Sequence, residues 1–338
     1  MLPPFAFVSL LVSGRLSLRI PAVRLRDREE NFVLATDWEQ MFRNWSKPSS
    51  DDECEKQENA ERIVGDAIRA SDSLKARTIK IIPQGSYRNN TNVRQESDVD
   101  ICVCCMEPFF DDYEFADYNR AESGVVAASY TYAQFKNEVQ SALETRFGRA
   151  GVTRGDKAFD VHANSYRVDA DVVPAFACRL YTKKEFNFSR LPSYLTPEGT
   201  RFISDSNSII TNWPEQHYAN EVAKNKRTGG RFKLIVRTVK RLKFYLIDKG
   251  IDRCDPVPSY LIECLLYNVP DSTFAADSYK DIVQNALLGC FTATKPDGDY
   301  ANWLEVNEIK YLFRNYQPWS RQQAYDFVLA AWYYVEKN

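Results

Sequence analysis

Two kinds of hydrophobic pattern divide this chain. From Thr78 to Phe176 apolar residues fall in short β-branched or alternating runs, and after Trp213 they recur at helical spacing to the C-terminus. Ser49-Ser50-Asp51-Asp52 offers N-cap candidates followed by first-turn acids, which predicts a helix to about Ala70 with Ile63, Ala67 and Ile68 inward. Thr78 to Ile82 reads as a strand stopped by Pro83, and Val99 to Cys105 as a second. A helix is expected from Tyr132 to Phe147, closed by Gly148. Two β-like runs follow, Ala158 to Ala163 and Tyr166 to Phe176, turned at Asn164-Ser165. The polar stretch from Lys183 to Arg201, with Pro192 and Pro197, reads as a loop. Between Gly230 and Leu246, residues Phe232, Ile235, Val236, Val239, Leu242 and Leu246 form one apolar stripe, and Lys233, Arg237, Lys240 and Arg241 lie opposite it. A mixed strand–helix half followed by an all-helical half predicts an α+β architecture of two domains with a cleft between them.

A length of 338 residues accommodates two such domains. Apolar residues at 44% and charged residues at 27% exclude a disordered chain, and a net charge of −2 excludes a surface that binds nucleic acid as a whole. Phosphate attraction must then come from a local patch such as the basic stripe. Neither internal repeats nor low-complexity tracts occur. Of eight cysteines, Cys102, Cys104 and Cys105 sit in an apolar run and read as small buried hydrophobes. Lacking any CxxC pair and having only His162 and His217, the chain is not expected to carry a structural zinc site. The free thiols fit a reducing cytoplasm. Residues 1–34 are a different text: Leu2 to Val12 is largely apolar, with Arg15, Arg19, Arg24 and Arg26 after it rather than before it. That order is the reverse of a secretory signal, and the run is too short to span a bilayer. A loosely attached, disordered leader or an upstream translation start is expected there, with no membrane association.

The chemistry concentrates in Gln84-Gly85-Ser86 and, a dozen residues on, Asp98-Val99-Asp100 opening an apolar strand. Residues two apart on a strand share a face, so the two carboxylates repel unless a divalent cation neutralises them. Gly85 permits close backbone approach to a phosphate and Ser86 offers a hydroxyl. A third acid is expected from Tyr166-Arg-Val-Asp-Ala-Asp171, where Asp169 and Asp171 share a face and periodicity does not separate them. Such a trio suits two Mg²⁺ or Mn²⁺ ions held roughly 3.5–4 Å apart. Seen singly, each acid would be an ordinary solvated strand end.

Together, Gly85-Ser86, Asp98-x-Asp100 and Asp171-Val-Val-Pro-Ala-Phe176 give the chain a likeness, from about Trp38 to the C-terminus. It resembles the cyclic-oligonucleotide synthases of bacterial antiphage defence, relatives of cyclic GMP-AMP synthase and oligoadenylate synthase. The resemblance implies a polymerase-β-like nucleotidyltransferase domain over 35–210, with residues 1–34 outside it, and a helical domain over 211–338. It favours Asp171 over Asp169 as the third metal ligand. It further implies that Gln84, Gly85, Ser86, Lys240 and its neighbour Arg237 contact nucleotide, that Ser259 binds triphosphate and that Tyr260 stacks a base. Without it, Tyr260 would read as core and the basic stripe as a solvated helix face. The zinc thumb of the animal enzyme is absent, so double-stranded DNA is not the expected activator.

The expected activity is metal-dependent joining of ATP and GTP into cyclic GMP-AMP with release of pyrophosphate, in defence signalling through a separate effector that binds the product. Two other readings share the same motifs: transfer of a nucleotide to another acceptor (an RNA 3′ end, a small molecule or a protein hydroxyl), and an inactive relative that senses nucleotides.

Overall fold

A computed structural model describes residues 36–93, 98–113, 125–181, 183–186, 192–195 and 197–338, with backbone only over 183–186 and 192–195. The leader over 1–34 lies outside the described residues.

Asp37 caps a short helix α1 (Trp38–Trp45), and Ser50 and Glu53 form a capping box at the head of α2 (Asp51–Ala70). On α2 the inward residues are Val64, Ala67 and Ile68, while Ile63 is only half-buried. Strand β1 (Ile79–Pro83) runs antiparallel to β2 (Val99–Tyr113), with the single-turn helix α3 (Gly85–Arg88) between them. The helix α4 (Tyr132–Phe147) stops at Gly148, whose φ of 76° favours glycine. Three further strands, β3 (Val152–Arg154), β4 (Phe159–Val161) and β5 (Ala170–Tyr181), complete a sheet in the order β1-β2-β5-β4-β3.

The stretch expected to be a loop after Lys183 carries strands: β6 (Lys183–Phe186), β7 (Pro192–Leu195) and β8 (Glu198–Ile203), followed by β9 (Ile209–Asn212). Among the described residues β6 and β7 pair with each other, whereas β8 pairs with β5 and β9 extends that edge. Pro192 is tolerated because it begins its strand at an edge.

Alternation along β2 sorts its residues by face. Val99, Ile101, Val103 and Cys105 pack with α2 and α4, while Cys102 and Cys104 join Ala175, Ala177 and Phe202 on the other face. Asp100, by parity, lies on that second face. It is turned toward the helical half, built from α5 (Pro214–Arg227), α6 (Arg231–Asp248), α7 (Ser259–Asn268), α8 (Tyr279–Thr294) and α9 (Arg321–Lys337). The α6 apolar stripe forms the centre of its core. Trp38 and Phe42 of α1 belong to that same core, so a division at 210/211 places α1 with the wrong partner. Their large rings find apolar area among α6, α8 and α9 that the sheet does not offer them.

Candidate active site

Strands β2 and β5 run parallel, and their register sets Asp100 directly beside Asp171. Val99 N–H donates to Asp169 O at 3.0 Å, extending the ladder one step below. Asp98 stands two residues before Asp100, just ahead of β2, and is exposed. On the other edge of β5, Asp160 of β4 is in register with Asp171. Asp100, Asp171 and Asp160 therefore stand side by side on one sheet face, with Asp98 just ahead of it. Burial, then Asp171, Asp98 and Glu263, push Asp100 up to about 6. Burial, then Asp98, Asp160 and Asp169, raise Asp171 as well. Carboxylates crowded together on adjacent strands supply hard oxygens of the kind that Mg²⁺ or Mn²⁺ takes.

Asp169 is used differently: its carboxylate accepts from Ala163 N–H and ties the turn between β4 and β5. Asp171 is left as the acid facing Asp100, which periodicity could not decide. Asp160 was not foreseen from the sequence. Its signal was Phe159-Asp160-Val161, an acid between two fully buried residues on a three-residue strand.

Gly85 makes the approach close. Its φ is +64°, and a Cβ there would overlap Asp100 Oδ2 and lie 3.0 Å from Cγ. Gln84, at the N-cap of α3, donates its backbone N–H to Asp100 O at 2.8 Å. Ser86, next in the chain, lines a cavity of about 350 Å³ between the two halves, with Thr91, Asn92, Val93, Lys240, Lys243, Phe244 and Ser259. Ser86, Lys240 and Ser259 thus line one cavity, while Gly85 lies against Asp100; none of Asp98, Asp100 and Asp171 is part of that lining.

Arg237 goes elsewhere. It is 3% exposed, its Nε donates to Ser46 O at 2.7 Å, and its NH1 donates to Asn90 O. Arg241 likewise donates to Trp45 O at 3.0 Å and Asn44 O at 3.2 Å. The basic stripe is therefore not a solvated face; Arg237 and Arg241 close carbonyls at the end of α1 and in the stretch at 90–93. Lys240, 1% exposed, pairs with Glu263 and donates to Thr91 O at 3.0 Å while still lining the cavity. Glu263 was also missed, although it is a lone acid in an otherwise apolar helix. Tyr260 does not line the cavity. Its hydroxyl donates to Glu305 at 2.9 Å, and its ring packs 5.8 Å from Trp319 and 5.5 Å from His217.

Residues 219–336 match the family described as the cGAS/DncV-like nucleotidyltransferase C-terminal helical domain. The chain is 52% identical over 307 residues to a cyclic dipyrimidine nucleotide synthase of Legionella pneumophila, covering 90% of this chain and 100% of that one. It is 36% identical to a cyclic dipurine nucleotide synthase of Elizabethkingia meningoseptica, over 88% of this chain and 98% of the relative. Among solved structures it superposes on the c-UMP-AMP synthase of Rhodothermus marinus, in complex with Apcpp and Upnpp, with a TM-score of 0.74 at 29% identity, covering 87% and 94% of the two chains.

Proposed function

The chain belongs to the cGAS/DncV-like nucleotidyltransferases, and from that premise we propose that it joins two nucleoside triphosphates, pyrimidines foremost, into a cyclic dinucleotide. The observation that carries nucleotidyl transfer is the pairing of Asp100 with Asp171 across parallel strands, with Gly85-Ser86 against them. In each of two rounds a ribose hydroxyl attacks an α-phosphate, one phosphodiester bond forms, and the bond to pyrophosphate breaks.

Asp98, Asp100 and Asp171 would hold Mg²⁺ or Mn²⁺, which when bound neutralises charge on the reacting phosphate and acidifies the attacking hydroxyl. Asp171 is placed to take that hydroxyl's proton, and Asp160 beside it raises its proton affinity. Ser86, Lys240 and Ser259, which line the cavity, hold the triphosphate. Arg237 acts on this site through the loop it pins, and Tyr260 through packing, rather than by touching nucleotide.

Base choice follows the 52%-identical dipyrimidine synthase. Cyclic GMP-AMP from ATP and GTP, expected from the look of the Gln84–Thr91 stretch, gives way to UTP and CTP as the substrates tested first. A defence role and an effector that binds the product remain part of this proposal. No described helix is long and apolar enough to cross a membrane.

The test is incubation with all four labelled ribonucleoside triphosphates and Mg²⁺ or Mn²⁺, then phosphatase treatment and separation. A phosphatase-resistant product that needs UTP or CTP supports the proposal. A product built from ATP and GTP alone sinks the base assignment, and transfer only when an acceptor is added sinks cyclisation.

A further inference from the structure

Beneath the cavity, three side chains from two helices converge on a point the reaction does not use. His217 and Glu221 are four residues apart on α5 and share a face; Glu263 reaches them from α7. His217 Nε2 lies 3.4 Å from Glu221 Oε1 and 3.4 Å from Glu263 Oε2, and the three candidate ligand atoms fall within 4.8 Å of one another. All three residues are buried, with Glu221 at 0% and Glu263 at 3% exposure. His217 ion-pairs with both glutamates and Lys233 with Glu221, yet His217 Nε2 and both oxygens of Glu221 make no well-directed hydrogen bond among the described residues. A buried carboxylate without a well-directed donor is costly, and 3.4 Å is longer than an ordinary N–H···O bond.

The outward oxygens complete the picture. Lys233 Nζ sits 3.7 Å from Glu221 Oε2, and Lys240 and Thr91 Oγ1 both contact Glu263 Oε1. Each acid therefore turns one oxygen to a lysine and the other to His217. Outer partners that orient inner ligands in this way are what metal sites require. We propose that His217, Glu221 and Glu263 bind one Zn²⁺ ion, at a site separate from the transfer carboxylates. With Zn–N and Zn–O bonds of about 2.0–2.1 Å, tetrahedral ligands stand roughly 3.3–3.4 Å apart, which His217 already satisfies toward each glutamate, and the two glutamates lie within 4.8 Å. The nitrogen ligand disfavours Mg²⁺, which takes oxygen donors, and three protein ligands leave a fourth position for water. The absence of Cys/His spacing in the sequence says nothing against such a site, because two of its ligands are glutamates. The ion would tie α5 to α7 and hold Glu263, and through Glu263 it would set the aim of Lys240.

The test uses the full chain carrying Asp98→Ala and Asp100→Ala, which removes the transfer-site ligands, after chelation and dialysis. One Zn²⁺ per chain should survive gel filtration, and millimolar Mg²⁺ should not displace it. Co²⁺ in its place should give the intense visible bands of tetrahedral coordination. Adding His217→Ala or Glu221→Gln, with folding checked by circular dichroism, should weaken uptake by at least ~100-fold, the upper end of losses seen when only outer partners are changed. The proposal is overturned if the stripped protein takes up no stoichiometric Zn²⁺, or if the Co²⁺ spectrum survives loss of His217. It is equally overturned if nuclear magnetic resonance finds His217 Nε2 still protonated in the presence of Zn²⁺, leaving an imidazolium between two acids.

Discussion

Replacing Asp100 with Asn should abolish turnover and yet stabilise the metal-free protein. The carboxyl is mostly buried, faces Asp171 across the parallel pair and feels Asp98 two residues away, which together push it up from 3.8 to about 6. A folded pKa above the unfolded one means a stabilisation that is present below pH 3.8 and lost as the pH rises through about 6. Above that, ionised Asp100 costs the metal-free fold at most about 3 kcal/mol, at ~1.4 kcal/mol per pKa unit. The compact unit from Asp37 to Asn338 is large enough that this corresponds to a melting shift of roughly 5 °C. Asn keeps the shape and removes the charge. Thermal melts in chelator at pH 8 should place Asp100→Asn up to that much above the wild type, and the gap should close toward pH 4. Mg²⁺ with a non-hydrolysable triphosphate should then raise the wild type and leave the variant unmoved. A variant that melts at or below the wild type in chelator at pH 8 would show that the acids are not in conflict, and the reasoning from their register would fail.

Three other substitutions separate roles that the sequence runs together. Gly85→Ala puts a Cβ into Asp100 at a φ of +64°, so turnover should fall by about 100-fold, as expected for a displaced reacting group, with kcat the quantity to measure. Arg237→Met leaves Ser46 O and Asn90 O without their donor and should cost about 2–4 kcal/mol in chemical denaturation, while a direct phosphate contact would instead raise KM without lowering stability. Tyr260→Phe removes the bond to Glu305, and about 1 kcal/mol of stability should go with it at unchanged KM; a raised KM would restore Tyr260 to the nucleotide.

Much of the fold was written locally. The capping residue Ser50, the stop at Gly148, the β-branched runs and the α6 stripe each act within a few residues, so α2, α4, β1, β2 and α6 could be read from the sequence. The sequence set Asp98 and Asp100 two residues apart at the head of a strand with Gly85-Ser86 ahead of them, and the structure keeps that placement. The sequence had no means of pairing β2 with β5. That long-range register is what sets Asp171 beside Asp100, brings Asp160 in from β4 and leaves Asp169 to hold a turn. Nor could helical spacing say what the basic stripe of α6 would meet. Burial against the end of α1 and the stretch at 90–93 turned Arg237 into a clamp on carbonyls, and the crossing of α5 with α7 gathered His217, Glu221 and Glu263 from 47 positions of chain. Periodicity along the chain settles which face a side chain takes; only packing between elements distant in sequence decides what that face encounters.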